Sequence, residues 1–204
     1  RATGSGIDVT DWCDVGGGES GHIAPRHDNP NIVYAGSYGG LITCWDSRTL
    51  QTRDISPWPE DPIGWGAAEL KYRFQWTAPI LVSRFDSNIL YYAAQVLFKS
   101  IKEGQSWEVI SPDLTRNDKE KQKSSGGPIT KDNTSVEYYC TIFALAESFQ
   151  NPSILWVGTD DGLVSITRNG GRNWENITPK EMPEWSLISM IELSTFDPAT
   201  AYIA

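Results

Sequence analysis

Four times along the 204 residues, an Asn or Asp beside Pro, Ser or another Asn leads into a short apolar run that carries an aromatic. Asp28-Asn29-Pro30-Asn31 precedes the run holding Tyr34, and Asp86-Ser87-Asn88 precedes the one holding Tyr91. Asn151-Pro152-Ser153 precedes Trp156, and Asp197-Pro198-Ala199 precedes Tyr202. The first three units close on Ile55-Ser56-Pro57, Ile110-Ser111-Pro112 and Ile177-Thr178-Pro179. Between these marks lie tight turns. The cleanest copy runs from Ile154 through Asp160-Asp161-Gly162 and Asn169-Gly170-Gly171 to Trp174. Gly and Asn accept the positive φ that such hairpins need, so the stretch reads as strands joined by two turns.

A unit of roughly 40–50 residues with four short strands is the signature of a propeller blade. The fold expected is therefore all-β, a β-propeller of about three blades plus a partial fourth. The blades fall at 22–57, 77–112, 140–179 and 187–204, with inter-blade inserts at 58–76 and 113–139. A further strand-like piece, Ile7-Asp8-Val9-Thr10-Asp11-Trp12, precedes Gly16-Gly17-Gly18. The 9 Trp, 8 Tyr, 18 Gly and 12 Pro suit short strands punctuated by turns, with aromatics between sheets.

Charge and motif content remove several functions. A net charge of −9 disfavours a phosphate backbone, so no nucleic-acid partner is expected. No apolar run is long enough to span a membrane. His22 and His27, separated by Pro25, have no zinc spacing, and nothing marks a nucleophile elbow. Gly16-Gly17-Gly18 lacks the Lys-Ser/Thr of a phosphate loop, so neither cofactor nor metal is expected. Cys13, Cys44 and Cys140 are in no redox or metal spacing and read as free buried thiols, the alternative being one disulfide with one thiol left over. Asn133-Thr134-Ser135 and Asn176-Ile177-Thr178 match the glycosylation sequon.

Two turns carry a family resemblance. Ser100-Ile101-Lys102-Glu103-Gly104-Gln105-Ser106-Trp107 and Thr167-Arg168-Asn169-Gly170-Gly171-Arg172-Asn173-Trp174 resemble the Asp-box, or BNR repeat, Ser-x-Asp-x-Gly-x-Thr-Trp. The Gly permits the turn, an Asx side chain caps it, and the Trp is expected to anchor the hairpin under its own blade. Lys102 cannot accept a hydrogen bond, so the first turn must be held differently. With Tyr34–Gly40, Ile110–Thr115, Gly126-Gly127-Pro128-Ile129 and Trp156–Gly162, the chain is similar to large bacterial glycosyl-hydrolase-like, sortilin-N-terminal-like proteins. The resemblance implies a secreted or periplasmic location. It also implies a longer chain, because three blades and part of a fourth leave faces uncovered unless other blades or further copies cover them.

Propeller geometry puts inter-blade connections and the turns between second and third strands on one face, and the Asp-boxes on the other. Both inserts therefore join Ser37–Gly40 and Thr159–Gly162 on a loop-rich face, where binding is expected. Asp160, Asp161 and Glu137 are the catalytic candidates there, and Tyr38, Arg73, Trp76 and Tyr138 the ligand-binding ones. Aromatics stack on sugar rings, Arg holds carboxylates, and paired carboxylates suit glycoside hydrolysis. Tyr72-Arg73-Phe74-Gln75 is a partial echo of the sialidase (Phe/Tyr)-Arg-Ile-Pro motif, but it follows a complete blade. The turn Tyr34–Gly40 resembles that of two-propeller xyloglucanases, with Tyr38 where those typically show Asp. The expected function is glycan binding or processing. The alternatives are a sortilin-like peptide-binding propeller and an assembly scaffold without catalysis.

Overall fold

A computed structural model describes residues 6–19 and 21–204. Its strands form three four-stranded antiparallel meanders and a hairpin. The first sheet comprises β1 (Ile23–Pro25), β2 (Ile32–Gly36), β3 (Ile42–Asp46) and β4 (Gln51–Asp54). The second comprises β5 (Ile80–Val82), β6 (Leu90–Ala93), β7 (Leu97–Ser100) and β8 (Glu108–Val109). The third comprises β9 (Ile142–Glu147), β10 (Leu155–Thr159), β11 (Val164–Thr167) and β12 (Glu175–Asn176), and β13 (Ile191–Leu193) pairs with β14 (Ala201–Ile203). Four short 3-10 turns are the only helical elements among the described residues. This is a β-propeller-like architecture.

Burial follows from stacking sheets face to face. Strands β2, β6 and β10 are buried along their whole length, whereas the fourth strands β4, β8 and β12 are exposed throughout. A strand covered on both faces needs apolar residues at every position, which is why β2, β6 and β10 read as continuous apolar runs rather than alternating ones. Leu90 and Tyr92 of β6 meet Ile32, Tyr34 and Ile42 of the first sheet. Tyr91 and Ala93 point the other way, onto Ile142, Leu155 and Val157 of the third. Trp156, Val164 and Ile166 then meet Ile188, Ile191 and Leu193. Tyr202, unlike its counterparts Tyr34, Tyr91 and Trp156, is 69% exposed.

The recurring sequence marks perform the same bonds each time. Asn29, Asp86, Asn151 and Asp197 each accept, through the side chain, the backbone N–H two residues on, at 2.9–3.2 Å. Each main-chain carbonyl at those positions also accepts an N–H three residues on, closing a turn into the second strand. The Ile-(Ser/Thr)-Pro ends act in concert too. Ile55, Ile110 and Ile177 make the last ladder bonds to Ile42, Leu97 and Val164. The next hydroxyl then accepts from those same three residues: Ser56 from Ile42 N–H (3.2 Å), Ser111 from Leu97 (2.8 Å), Thr178 from Val164 (2.9 Å). The hydroxyl satisfies a donor that the terminated strand leaves open, and Pro prevents the ladder from continuing.

Residues Ile7–Trp12 form no strand. Asp8 accepts from Thr10 N–H at 2.7 Å and Asp11 reaches back to Asp8 N–H at 2.9 Å, a reciprocal cap that winds Val9–Asp11 into a 3-10 turn. The following glycines lie on the first sheet. Gly17 (φ 72°) donates to Thr43 Oγ1 at 2.7 Å, and a Cβ there would stand 2.7 Å from Gly36 O, so only Gly fits. Gly16-Gly17-Gly18 thus covers a sheet face. Cys44 and Cys140 are free and buried as expected, but Cys13 is exposed.

Candidate functional site

The two ends of the blades differ in construction. At one end, the turns after β7 and β11 are held by the residue that ends the strand. Ser100 Oγ accepts the N–H groups of Lys102 (3.2 Å) and Gly104 (2.9 Å), and Thr167 Oγ1 accepts those of Asn169 (3.4 Å) and Gly171 (2.9 Å). A hydroxyl therefore replaces the Asx cap that Lys102 cannot provide. Asn169 adds two further bonds, its Oδ1 accepting from Asn173 N–H at 2.9 Å and from Thr167 Oγ1 at 3.1 Å. The tryptophans then reach across rather than under. Trp107 Nε1 donates to Ile55 O of the preceding blade at 2.7 Å, and Trp174 Nε1 to Ile110 O at 2.9 Å. Each staples its blade to the one before, which corrects the own-blade expectation. Polar clasps reinforce the same end. Arg26 joins Asp28, Asn88 and Glu103, and buried Glu147 accepts from Ser83 Oγ (2.7 Å) and Arg84 N–H (2.8 Å).

The opposite end carries the inserts. Arg73, 4% exposed, is a cross-brace. Its backbone N–H donates to Gln95 Oε1 (2.7 Å), its Nε to Cys140 O (3.1 Å), and its Nη2 to Asp113 Oδ2 (2.9 Å). One guanidinium thus ties the first insert to the second and to the third blade. Tyr138 is buried between the inserts and donates its hydroxyl toward Pro62 O (3.1 Å) and Trp65 O (3.2 Å). Burial, with Glu60 and Asp61 nearby, pushes that phenol up to about 12.

Asp160 and Asp161 lie inside the loop layer, 5% and 0% exposed. Asp160 accepts from Thr141 N–H (2.8 Å) and Thr141 Oγ1 (2.7 Å). Asp161 accepts from Thr159 Oγ1 (2.6 Å) and Arg116 N–H (2.8 Å). Burial lifts Asp160 to about 6; the bonds from Thr141 oppose the rise and the Asp161 charge adds to it. Arg116 also donates Nε to Asp161 O and lies 4.7 Å from the Trp185 ring centroid, so the pair anchors the second insert.

Tyr38, Trp76 and Glu137 do converge. With Glu19, Ile63, Asn133, Thr134 and Val136 they line an open cleft of about 570 Å³ between the first blade's turn and the two inserts. Tyr38 and Ile63 also border an adjoining pocket of about 370 Å³, walled by Gly39, Leu41, Pro59–Pro62 and Ser135. The cleft brings together two aromatics and two carboxylates and no cation, which suits a neutral, ring-bearing ligand better than an anion. No group of His, Cys, Asp and Glu suited to holding a metal occurs among the described residues. Sequence reasoning missed Glu19, Ile63 and residues 133–136. Their only signal was membership of the Gly-rich leader or of an insert.

The Asn133 sequon is occupied by structure: its amide donates to Gly64 O (3.2 Å) and Ser124 Oγ (3.1 Å). Asn176 is exposed on β12.

No protein-family model matches the sequence, and no curated protein matches it. Among solved structures, the fold is similar to that of an ancestral GH74 enzyme, with TM-score 0.56 and 13% identity over 94% of this chain and 23% of that one. It is also similar to the GH74 enzyme of Niastella koreensis, with TM-score 0.55 and 17% identity over 92% of this chain and 26% of that one. The chain thus spans about a quarter of each enzyme's length. These likenesses show a β-propeller fold of the kind found in the GH74 enzymes. No helix among the described residues is long and apolar enough to cross a membrane.

Proposed function

We propose that this chain is part of an Asp-box propeller in a larger glycosyl-hydrolase-like protein, and that its loop-rich face binds neutral glycan. The observation that carries the reading is the convergence of Tyr38, Trp76 and Glu137 on one cleft. An aromatic pair offers stacking surfaces for sugar rings, and the carboxylates accept hydrogen bonds from sugar hydroxyls. The GH74-like fold supports a glycan over other ring-bearing ligands.

Binding is the role for these residues, rather than hydrolysis. Asp160 and Asp161 each accept two bonds from neighbouring protein groups, and Arg73 is spent on bracing. Of the three carboxylate candidates, Glu137 alone borders the cleft. Any acid–base pair in the whole protein would draw on other loops, in a secreted or periplasmic setting. Met190, Phe196 and Tyr202, exposed about the last hairpin, suit contact with a further blade of a longer chain or with a second copy.

Calorimetric titration with neutral cello- and xylo-oligosaccharides tests the reading. Trp76→Ala or Tyr38→Ala is expected to weaken binding at least about tenfold, as loss of a central aromatic contact does. Undiminished binding in both variants, or binding of basic peptides in place of sugars, would contradict it.

A further inference from the structure

The two cavities of the loop face carry charge of one sign. Glu19 and Glu137 border the cleft, Glu60 and Asp61 border the adjoining pocket, and no Lys, Arg or His lines either. All four carboxylates are exposed, and among the described residues none is ion-paired. Glu60 accepts from the Trp58 indole N–H (2.7 Å) and Asp61 from the Ile63 backbone N–H (3.1 Å), neutral donors that leave the charge in place. Grooves at the other end carry both signs: Arg53 with Asp54 beside the first box hairpin, Lys99 and Arg172 with Glu108 beside the second.

Lys121 and Lys123 line a further notch of about 50 Å³, which shares Asn133, Thr134 and Glu137 with the cleft. Their charges are engaged there. Lys121 Nζ lies 4.8 Å from the Trp185 ring centroid, Lys123 pairs with Glu120, and Asp132 lines the same notch. Around the cleft and pocket, Tyr38, Trp76, Leu41, Pro59 and Pro62 make low-dielectric walls that focus a negative potential between the carboxylates. Tyr138, buried between the inserts, registers that potential: the Glu60 and Asp61 charges add to burial in holding its proton.

A sugar chain stacked on Tyr38 and Trp76 leaves its ring substituents free to meet the surrounding carboxylates. A hydroxyl there gains hydrogen bonds, whereas a protonated amine gains those bonds and the charge attraction as well. The cleft is open, so the ammonium keeps part of its water. We propose that the cleft and pocket select a glycan bearing primary amino groups, such as a glucosamine chain, over its neutral counterparts. This rests on the glycan reading of the cleft and extends it, neutral chains being held by the aromatics and amino-bearing chains by the carboxylates too.

Glucosamine oligosaccharides, the same preparation after N-acetylation, and cello-oligosaccharides of equal length are each titrated at pH about 5.5, where Asp and Glu are ionised and the sugar amines protonated. At about 0.01 M salt the amino chain is expected to bind about tenfold more tightly than either neutral chain, the scale of two exposed ion pairs. At about 0.15 M salt, where the screening length falls to about 8 Å, the advantage should shrink to about threefold. Glu60→Gln with Asp61→Asn keeps both acceptors and should cut the low-salt advantage to about threefold, as should Glu19→Gln with Glu137→Gln. Glu108→Gln with Glu192→Gln removes two exposed charges from β8 and β13 instead, and should leave the advantage unchanged. Equal affinities for amino and neutral chains would overturn the proposal while leaving glycan binding intact. So would an advantage that survives both loop-face variants, or one that falls as far in the remote pair. Failure of all three preparations to bind would overturn the glycan reading, and this proposal with it.

Discussion

Strand β11 links two turns of opposite character. At Thr167 the chain enters a hairpin whose bonds repeat those at Ser100, with a tryptophan reaching the preceding blade in both. At Val164 it leaves a turn, Thr159–Gly162, whose carboxylates take donors from Thr141 at the start of the same blade and from Arg116 of the second insert, and have no counterpart in the second blade. There, Ala94-Gln95-Val96 closes directly, Ala94 N–H donating to Val96 O at 2.9 Å. The regular end is assembled from repeated local solutions, so each blade needs the same few residues. The loop end is assembled from long-range contacts among inserts, so no two blades look alike there. Regularity builds the stack, and irregularity leaves room for the cleft.

The largest expected effect breaks the regular end. Trp174→Ala removes a half-buried indole and its bond to Ile110 O, and should cost about 3 kcal/mol in denaturant unfolding. Arg172→Ala, exposed in the same hairpin, should change stability by less than about 0.5 kcal/mol. Similar losses in the two would mean that the hairpin, not the staple, matters.

Next comes the buried pair at the loop end. Because Asp160 sits near 6 in the folded protein against 3.8 ordinarily, folding takes up a proton between those values. Stability carried by this group is therefore gained as pH falls from 7 toward 4, on the order of 2 kcal/mol. Asp28 and Asp46 act in the other sense. Their guanidinium partners Arg26 and Arg48 hold them below the usual range, so their contributions are lost at lower pH. Thermal melts of the unaltered chain and Asp160→Asn, compared from pH 7 to 4.5, isolate the term. The unaltered chain should gain on the variant as pH falls, and parallel curves would show that Asp160 titrates normally.

A smaller effect sharpens the account of blade closure. Thr178→Val keeps the shape but strands the Val164 N–H, and should cost about 1 kcal/mol. The same change at Thr200, half-buried beside the last hairpin with its hydroxyl on exposed Asp197 alone, should cost less.

This contrast also explains what the sequence disclosed. The Asx turns and the Ile-(Ser/Thr)-Pro ends were legible because each rests on bonds within a few residues or on one hairpin partner. The direction of Trp107 and Trp174 was not, since a side chain's reach to the preceding blade has no local mark. Asp8 and Asp11 turned an apparent strand into a 3-10 turn by bonding each other's backbone. Loop position was enough to put Tyr38, Trp76 and Glu137 on one face, where they line the same cleft. Asp160 and Asp161 look the same in sequence whether they face solvent or, as here, take donors from Thr141 and Arg116.

The division of labour between the two ends is tested most directly by mapping amide chemical shifts during titration with neutral cello-oligosaccharides. The account predicts perturbations at Tyr38–Leu41, Asp61–Ile63, Trp76 and residues 133–137, and none at residues 102–107 or 169–174. Perturbations centred on those two hairpins, with the cleft silent, would contradict it.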